Sequence, residues 1–289
     1  MKTVAITGAG GFIGTELCAL FESRGIQVLR LMRNPKPGLA SIAWALGEPL
    51  PKACETVDAV VHLATLAYGK SSEMTAAAAA DLAGTRVLID SVRAARQSAN
   101  RPRFIFMSSQ SARPDAPNAY GRGKWQIEKI LDQPNEIAVR PGLVYGDTPA
   151  SVFGLFERLA RLPIVPIVKT EPAIQPIHVR ELAQCILAMV EMHTPAPLFE
   201  LGAVAPMTFE AAIRATALRA QRRAPATIPV PISLLRLAAN SVDSLFHPEP
   251  SIGERLEGLV GLRPMNTAPS LQALGCELKP YLPPERRNL

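Results

Sequence analysis

Residues Thr7 to Gly14 read TGAGGFIG, directly behind the apolar run Thr3-Val4-Ala5-Ile6. A strand that ends in glycines and turns into a helix exposes backbone N–H groups at the positive end of the helix, where phosphates bind. Gly8 permits the tight turn, Gly11 lets the backbone approach a pyrophosphate with no Cβ in the way, and Gly14 allows the helix to pack closely on the strand. The spacing is GxxGxxG at 8, 11 and 14, since position 13 is Ile13 rather than the glycine a GxGxxG form would need. An apolar strand before the turn and a helical pattern after it set the segment apart from a glycine turn without a ligand. The expected contacts to a dinucleotide are Gly8, Gly11, Phe12, Ile13 and Gly14.

Outward from this turn, apolar strand-like runs alternate with helical patterns through the first two thirds of the chain. The runs are Thr3 to Thr7, Gln27 to Met32, Ala59 to Leu63, Arg103 to Ser108 and Glu136 to Arg140. Helices are predicted at about Phe12 to Arg24, Ser72 to Arg96 and Tyr120 to Leu131, punctuated by Gly25 and Pro102. This alternation predicts an α/β fold of Rossmann type, a doubly wound parallel sheet with helices on both faces. Past Gly146 prolines thicken. Ile174 to Val179 and Leu198 to Gly202 read as late additions to the same sheet, and the remainder as a smaller lobe over the strand ends, where ligands of such folds bind. The expected division is a dinucleotide-binding domain of residues 1–148 and 174–203, with 149–173 and 204–289 as substrate lobe. Within the lobe, Ile232, Leu235, Ala239, Val242 and Phe246 share one face of a helix expected to pack into the core.

A chain of 289 residues, 48% hydrophobic and 19% charged, buries a large core and is not of disordered composition. Lys and Arg exceed Asp and Glu by 31 to 25. The excess is dispersed and has no aromatic-rich motif beside it, so nucleic acid is not an expected partner. Cys18, Cys54, Cys185 and Cys276 are far apart, with no CxxC and no Cys/His cluster, which excludes a zinc motif or a disulfide framework. Reduced thiols, no membrane-length apolar run and no export signal make a cytoplasmic protein the expectation.

The segment after the second strand reads Leu31-Met32-Arg33-Asn34, without the acid that takes the ribose 2′-OH in an NAD site. Arg33 offers instead a planar fork for a 2′-phosphate, which favours NADP over NAD. Ser108-Ser109 close the run that begins at Arg103, and Tyr120 and Lys124 follow one loop later on the opening turns of a helix. Four residues apart, tyrosine and lysine share a helix face with a rise of about 6 Å. A neighbouring ammonium favours phenolate and predicts a tyrosine pKa pulled from about 10 toward neutrality. Tyr120 is then a candidate general acid or base, and Ser109 a candidate to hold and polarise a substrate oxygen.

With these residues in hand, the chain resembles the extended or atypical short-chain dehydrogenase/reductases of the NAD-dependent epimerase/dehydratase type. The likeness is carried by TGAGGFIG at 7–14, DAVVHLA at 58–64, AGTRVL at 83–88, FIFMSS at 104–109, YGRGK at 120–124, RPGLVYG at 140–146 and PIHVREL at 176–182. It implies that Ser109 assists Tyr120, that Lys124 also binds the nicotinamide ribose, that Leu63 and Ala64 line the cofactor, and that Pro141 contacts its nicotinamide side. It also implies a homodimer formed through the helices Ser72 to Arg96 and Tyr120 to Leu131. His178 matches a motif histidine of that family and is read as structural.

The sequence departs from the family at three places. Asp81 stands where many relatives have asparagine, the loop from Ser109 to Tyr120 is short, and Gln110-Ser111 replace the Asp-Glu pair of sugar-nucleotide dehydratases. Without that acid and base a 4,6-dehydration is not expected. The expected activity is an oxidoreductase or epimerase acting on a carbonyl or secondary alcohol of a small-molecule substrate, nucleotide sugars included. Reduction and epimerisation share their first step. The alternative is a protein that binds NADP(H) as a scaffold or sensor without turnover.

Overall fold

The structure, a computed structural model, describes residues 2–35, 38–66, 74–95, 101–146, 153–169, 171, 173–193, 195–246 and 252–281. Among these, seven parallel strands form one sheet, in the order β10-β6-β5-β4-β1-β2-β3. They are β1 (Thr3–Thr7), β2 (Gln27–Met32), β3 (Ser41–Ala43), β4 (Ala59–His62), β5 (Arg103–Met107), β6 (Glu136–Pro141) and β10 (Leu198–Leu201). β1 pairs with β2 on one side and with β4 on the other, so the strand order reverses there. The crevice beyond the carboxyl ends of β1 and β4 is where such sheets bind ligands.

Alternation along each strand assigns side chains to opposite faces. Val4, Ile6, Val61, Ile105 and Val139 pack with α1 (Phe12–Ser23) and α5 (Val179–Glu191) in one core layer. Ala5, Val60, Phe104 and Phe106 pack on the other with Trp44, α2 (Met74–Ala94) and α3 (Ala119–Glu128). Burial on both faces explains why these strands read as continuous apolar runs rather than as alternation with polar residues. Ser72, Glu73 and Arg96, at the ends of the predicted second helix, lie outside the described residues.

A third core, with Tyr145, Phe156, Val165, Ile213 and Tyr281, lies in the later part of the chain. It is framed by β7 (Leu143–Tyr145), α4 (Phe153–Leu159), β8 (Ile164–Ile167), β9 (Pro176–His178), α6 (Phe209–Arg219) and β11 (Ala226–Pro229). α7 (Ile232–Phe246), α8 (Ile252–Val260) and α9 (Ala268–Leu274) complete the chain. β7 pairs in parallel with β9, and β8 with β11.

Two expectations separate here. Leu198–Leu201 joins the main sheet beside β6, as expected. Pro176–His178 does not, because it pairs with β7, while Ile174 bridges Met207. Prolines explain the short pairings. Pro166 and Pro229 donate no ladder bond and are tolerated in a two-stranded edge. In α7, the described members of the expected face are covered, Ala239 buried and Ile232 and Leu235 half-buried, while the exposed Leu234 and Leu237 lie away from that face. The side chains of Val242 and Phe246 lie outside the described residues.

Candidate active site

The glycine turn is a point of close approach. Gly8 has φ +65°, and a Cβ there would lie 2.9 Å from the Ala64 nitrogen, while one on Gly14 would press on the Gly8 carbonyl and Ala9. Gly11 caps α1 with no side-chain cap bond, and the first turn holds no acidic residue. An uncapped helix start above a glycine cradle fits dinucleotide phosphates, which bring their own negative charge.

Thr7 Oγ1 accepts the N–H groups of Leu63 and Ala64, both at 3.1 Å, so its own proton goes to His62 Nδ1 at 2.8 Å. His62 must then carry its proton on Nε2 and donate to Thr85 Oγ1 at 3.1 Å. The ring is buried between Phe104 and Phe106, with Trp44 edge-on. Burial, with Lys124 adding its charge, pushes the histidine down to about 3. A neutral imidazole thus fixes the backbone of Leu63 and Ala64 beside the turn. Arg33 is exposed just past β2, and Pro141 is the buried last residue of β6.

Ser109, Tyr120 and Lys124 come together at the end of β5. Asn118 caps α3 by accepting the Gly121 N–H at 3.0 Å, which starts the helix just ahead of Tyr120. A Cβ on Gly121 would meet the Ser111 carbonyl and Ala116, so the short loop folds back under the helix only because that residue is glycine. Ser109 Oγ lies 2.9 Å from Ser111 Oγ and is near enough to the Tyr120 phenol to favour its ionised form. Lys124 is buried; its Nζ donates to the Met107 carbonyl at 3.0 Å and stands 5.8 Å from the Tyr120 ring centre.

The electrostatics differ from the sequence expectation. Burial raises the Tyr120 pKa, against the lowering by the Ser109 hydrogen bond, and Asp81 adds to the rise. Burial also pushes Lys124 down to about 8, with Asp81 and Glu128 opposing it. Desolvation sets the direction, and the phenol is held in its protonated form.

Three supporting groups were not visible in the sequence, since no motif or period pairs residues so far apart. Glu128, one turn beyond Lys124, takes a bidentate grip from Arg140 of β6 at 2.5 and 2.8 Å and accepts the Ser108 hydroxyl. Gln110 donates to the carbonyls of Ala173 and Arg263, at 2.6 and 2.8 Å, which fixes its amide orientation. Gln175 donates to the Ala203 and Met265 carbonyls and accepts the Met265 N–H. The two amides strap residues 263–265 across the sheet end. His178, by contrast, is structural as expected. It caps α5 in a box with Glu181 and packs edge-on to Tyr145.

Among the described residues, no group of three or more His, Cys, Asp or Glu is gathered to hold a metal. No described helix is long and apolar enough to cross a membrane.

The sequence profile of the NAD dependent epimerase/dehydratase family matches residues 4–202, and the chain belongs to that family. Among characterised relatives, it is 28% identical over 198 residues to the ceramide reductase of Caulobacter vibrioides (strain NA1000 / CB15N), covering 64% of this chain and 60% of that protein. It is 27% identical over 196 residues to the mitochondrial NADH dehydrogenase [ubiquinone] 1 alpha subcomplex subunit 9 of Dictyostelium discoideum, covering 64% and 54%. The chain therefore spans less than two thirds of the length of either relative. The crystal structure of the human epimerase family protein SDR39U1 (isoform 2) with NADPH superimposes with a TM-score of 0.67 at 18% identity, covering 96% of this chain and 94% of that one. At that identity the likeness speaks for the fold.

Proposed function

We propose that the chain is an NADP-dependent reductase of a carbonyl group, with Tyr120 as proton donor, Ser109 as the hydrogen bond to the substrate oxygen and Lys124 as the cation beneath them. The observation that carries this is the gathering of Ser109 and the Tyr120 phenol at the end of β5, with the Lys124 ammonium buried one helical turn away and 5.8 Å from the tyrosine ring. A bound reduced nicotinamide would supply the hydride to the carbonyl carbon. Tyr120 gives its proton to the oxygen as the C=O bond becomes an alcohol, and the phenolate is reprotonated from solvent. The raised phenol pKa keeps Tyr120 protonated at rest, which is the form a reduction begins from. Gln110 cannot act as an acid, and its amide is already committed to two backbone carbonyls, which argues against dehydration.

The glycine cradle, Phe12, Ile13, Leu63, Ala64, Lys124 and Pro141 make up the cofactor side. Arg33, with Asn34 and Pro35 after it and no acid, supports NADP. Residues 1–148 and 174–203 form the cofactor-binding part in this reading, and 149–173 with 204–289 the substrate lobe. Pairing of two copies across α2 and α3 belongs to the same reading, where Ala79, Ala83 and Arg122 border a shallow depression of about 590 Å³; sedimentation measures it directly. The relative named as a reductase supports turnover. The relative named as a subunit of an NADH dehydrogenase prompts a second reading, a cofactor-binding protein without turnover of its own.

One experiment separates the two. Purified protein is titrated with NADPH and NADH by fluorescence, then given NADPH with an aldehyde and ketone panel. Turnover that falls by about 10²–10⁴-fold in Tyr120→Phe, with NADPH affinity kept, is the expected result. Undiminished turnover in the variant rejects the role of Tyr120. Tight NADPH binding with no oxidation across the panel favours the second reading.

A further inference from the structure

Asp81 lies on the buried face of α2, in a row with Ala78 and Thr85. Ala78 packs on Ala119 and Tyr120 of α3, and Thr85 bonds His62 of β4. Asp81 is one turn from each, so its carboxylate occupies the wall between the tyrosine helix and the strand that precedes Leu63 and Ala64. Its side chain is nearly sealed from water, at 2% exposure. Oδ1 accepts the Leu66 N–H at 2.7 Å and Oδ2 accepts the Thr65 hydroxyl. Both of those donors are neutral.

A buried carboxylate is costly unless a cation compensates its charge. Among the described residues, the charged and titratable groups that act across this wall include Tyr120, Lys124 and Glu128 from α3, and the neutral His62 from β4. Glu128 is already gripped by Arg140. Lys124 donates to a neutral carbonyl.

We propose that Asp81 is a positioning residue of this site: its carboxylate is the counter-charge of the Lys124 ammonium across the α2–α3 interface, and the same group anchors Thr65 and Leu66 behind the cofactor-lining segment. The residue thereby couples two tasks, keeping Lys124 charged and keeping the backbone after β4 in place. It also opposes phenolate at Tyr120, and so favours the proton-donating form of the phenol. The proposal rests on the Ser109, Tyr120 and Lys124 site described above but is tested without turnover.

The test uses the full chain with lysine labelled by ¹³C at Cε. The Lys124 resonance is assigned by its loss in Lys124→Met and followed against pH, in wild type and in Asp81→Asn. The expected result is a Lys124 titration midpoint lower by roughly one pH unit in Asp81→Asn. Asp81→Glu, which keeps the charge, should leave the midpoint close to wild type. The upper limb of any pH–rate profile for NADPH oxidation should move with the resonance. Asp81→Ser is the second neutral variant. A midpoint equal to wild type in either folded neutral variant overturns the proposal, as does folding of Asp81→Glu but of neither neutral variant. If wild type lacks turnover yet the midpoints shift as expected, the proposed function fails and the charge coupling stands.

Discussion

The sheet half of the molecule and the later lobe solve the same packing problem differently. In the sheet half, strands are buried on both faces, and the interior holds paired polar groups such as Thr7 with His62 and Glu128 with Arg140. In the lobe, two-strand pairings carry prolines, and Leu162, Ile164, Ile228, Leu234 and Leu237 remain exposed at 47%, 52%, 50%, 56% and 65%. The first region holds Ser109, Tyr120 and Lys124, the groups proposed to react, through buried, mutually dependent contacts and so tolerates little change. The second leaves room for variation, which suits the substrate lobe proposed for it.

That contrast can be broken in three places, in decreasing order of effect. Removing the cation of the pair beneath α3, in Arg140→Met, leaves the Glu128 carboxylate buried without its guanidinium. A loss of about 3 kcal/mol in unfolding free energy is expected by urea melts, and Glu128→Gln in the same chain should recover part of it. A loss below about 0.5 kcal/mol would place this pair with the interchangeable contacts of the lobe.

The second effect is acid sensitivity. His62 titrates near 6.5 when unfolded, but its folded pKa is pushed down to about 3, so the unfolded chain binds the proton more readily. The stabilisation from this neutral ring is complete above 6.5 and is lost as pH falls from 6.5 toward 3. Melts at about pH 7 and about pH 5 should differ, and His62→Gln should show a shallower pH dependence although it begins less stable. Equal slopes in the two chains would remove His62 as the source. The smallest effect is expected at Leu237→Gln in α7, where a change within about 0.5 kcal/mol and unaltered NADPH binding would mark the lobe surface as tolerant. A large destabilisation there would erase the distinction between the two regions.

How much could be read in advance follows the same division. β1 and β2 were legible to the residue, since β1 is an apolar run closed by Gly8 and β2 a largely apolar run opened by Gly25. The meeting of Ser109, Tyr120 and Lys124 was legible from spacing and strand order. Ser41–Ala43 was missed because it is a three-residue edge strand with no fully buried side chain. Ile174 to Val179 was assigned to the wrong sheet, since alternation shows that a strand forms but not which neighbour it takes. The direction of the Tyr120 pKa was also misjudged. Spacing showed the ammonium, but burial and Asp81 become visible only when α2 is laid against α3.

The straps formed by Gln110 and Gln175 have a consequence for anyone who would redirect this scaffold. Installing an acid at position 110 to create elimination chemistry would first unfasten residue 263 from position 173, because a carboxylate cannot donate to either carbonyl. The obstacle to a new reaction is therefore mechanical before it is chemical. Such a redesign would have to supply another fastening for the crossing strand of backbone at the same time as the new proton donor.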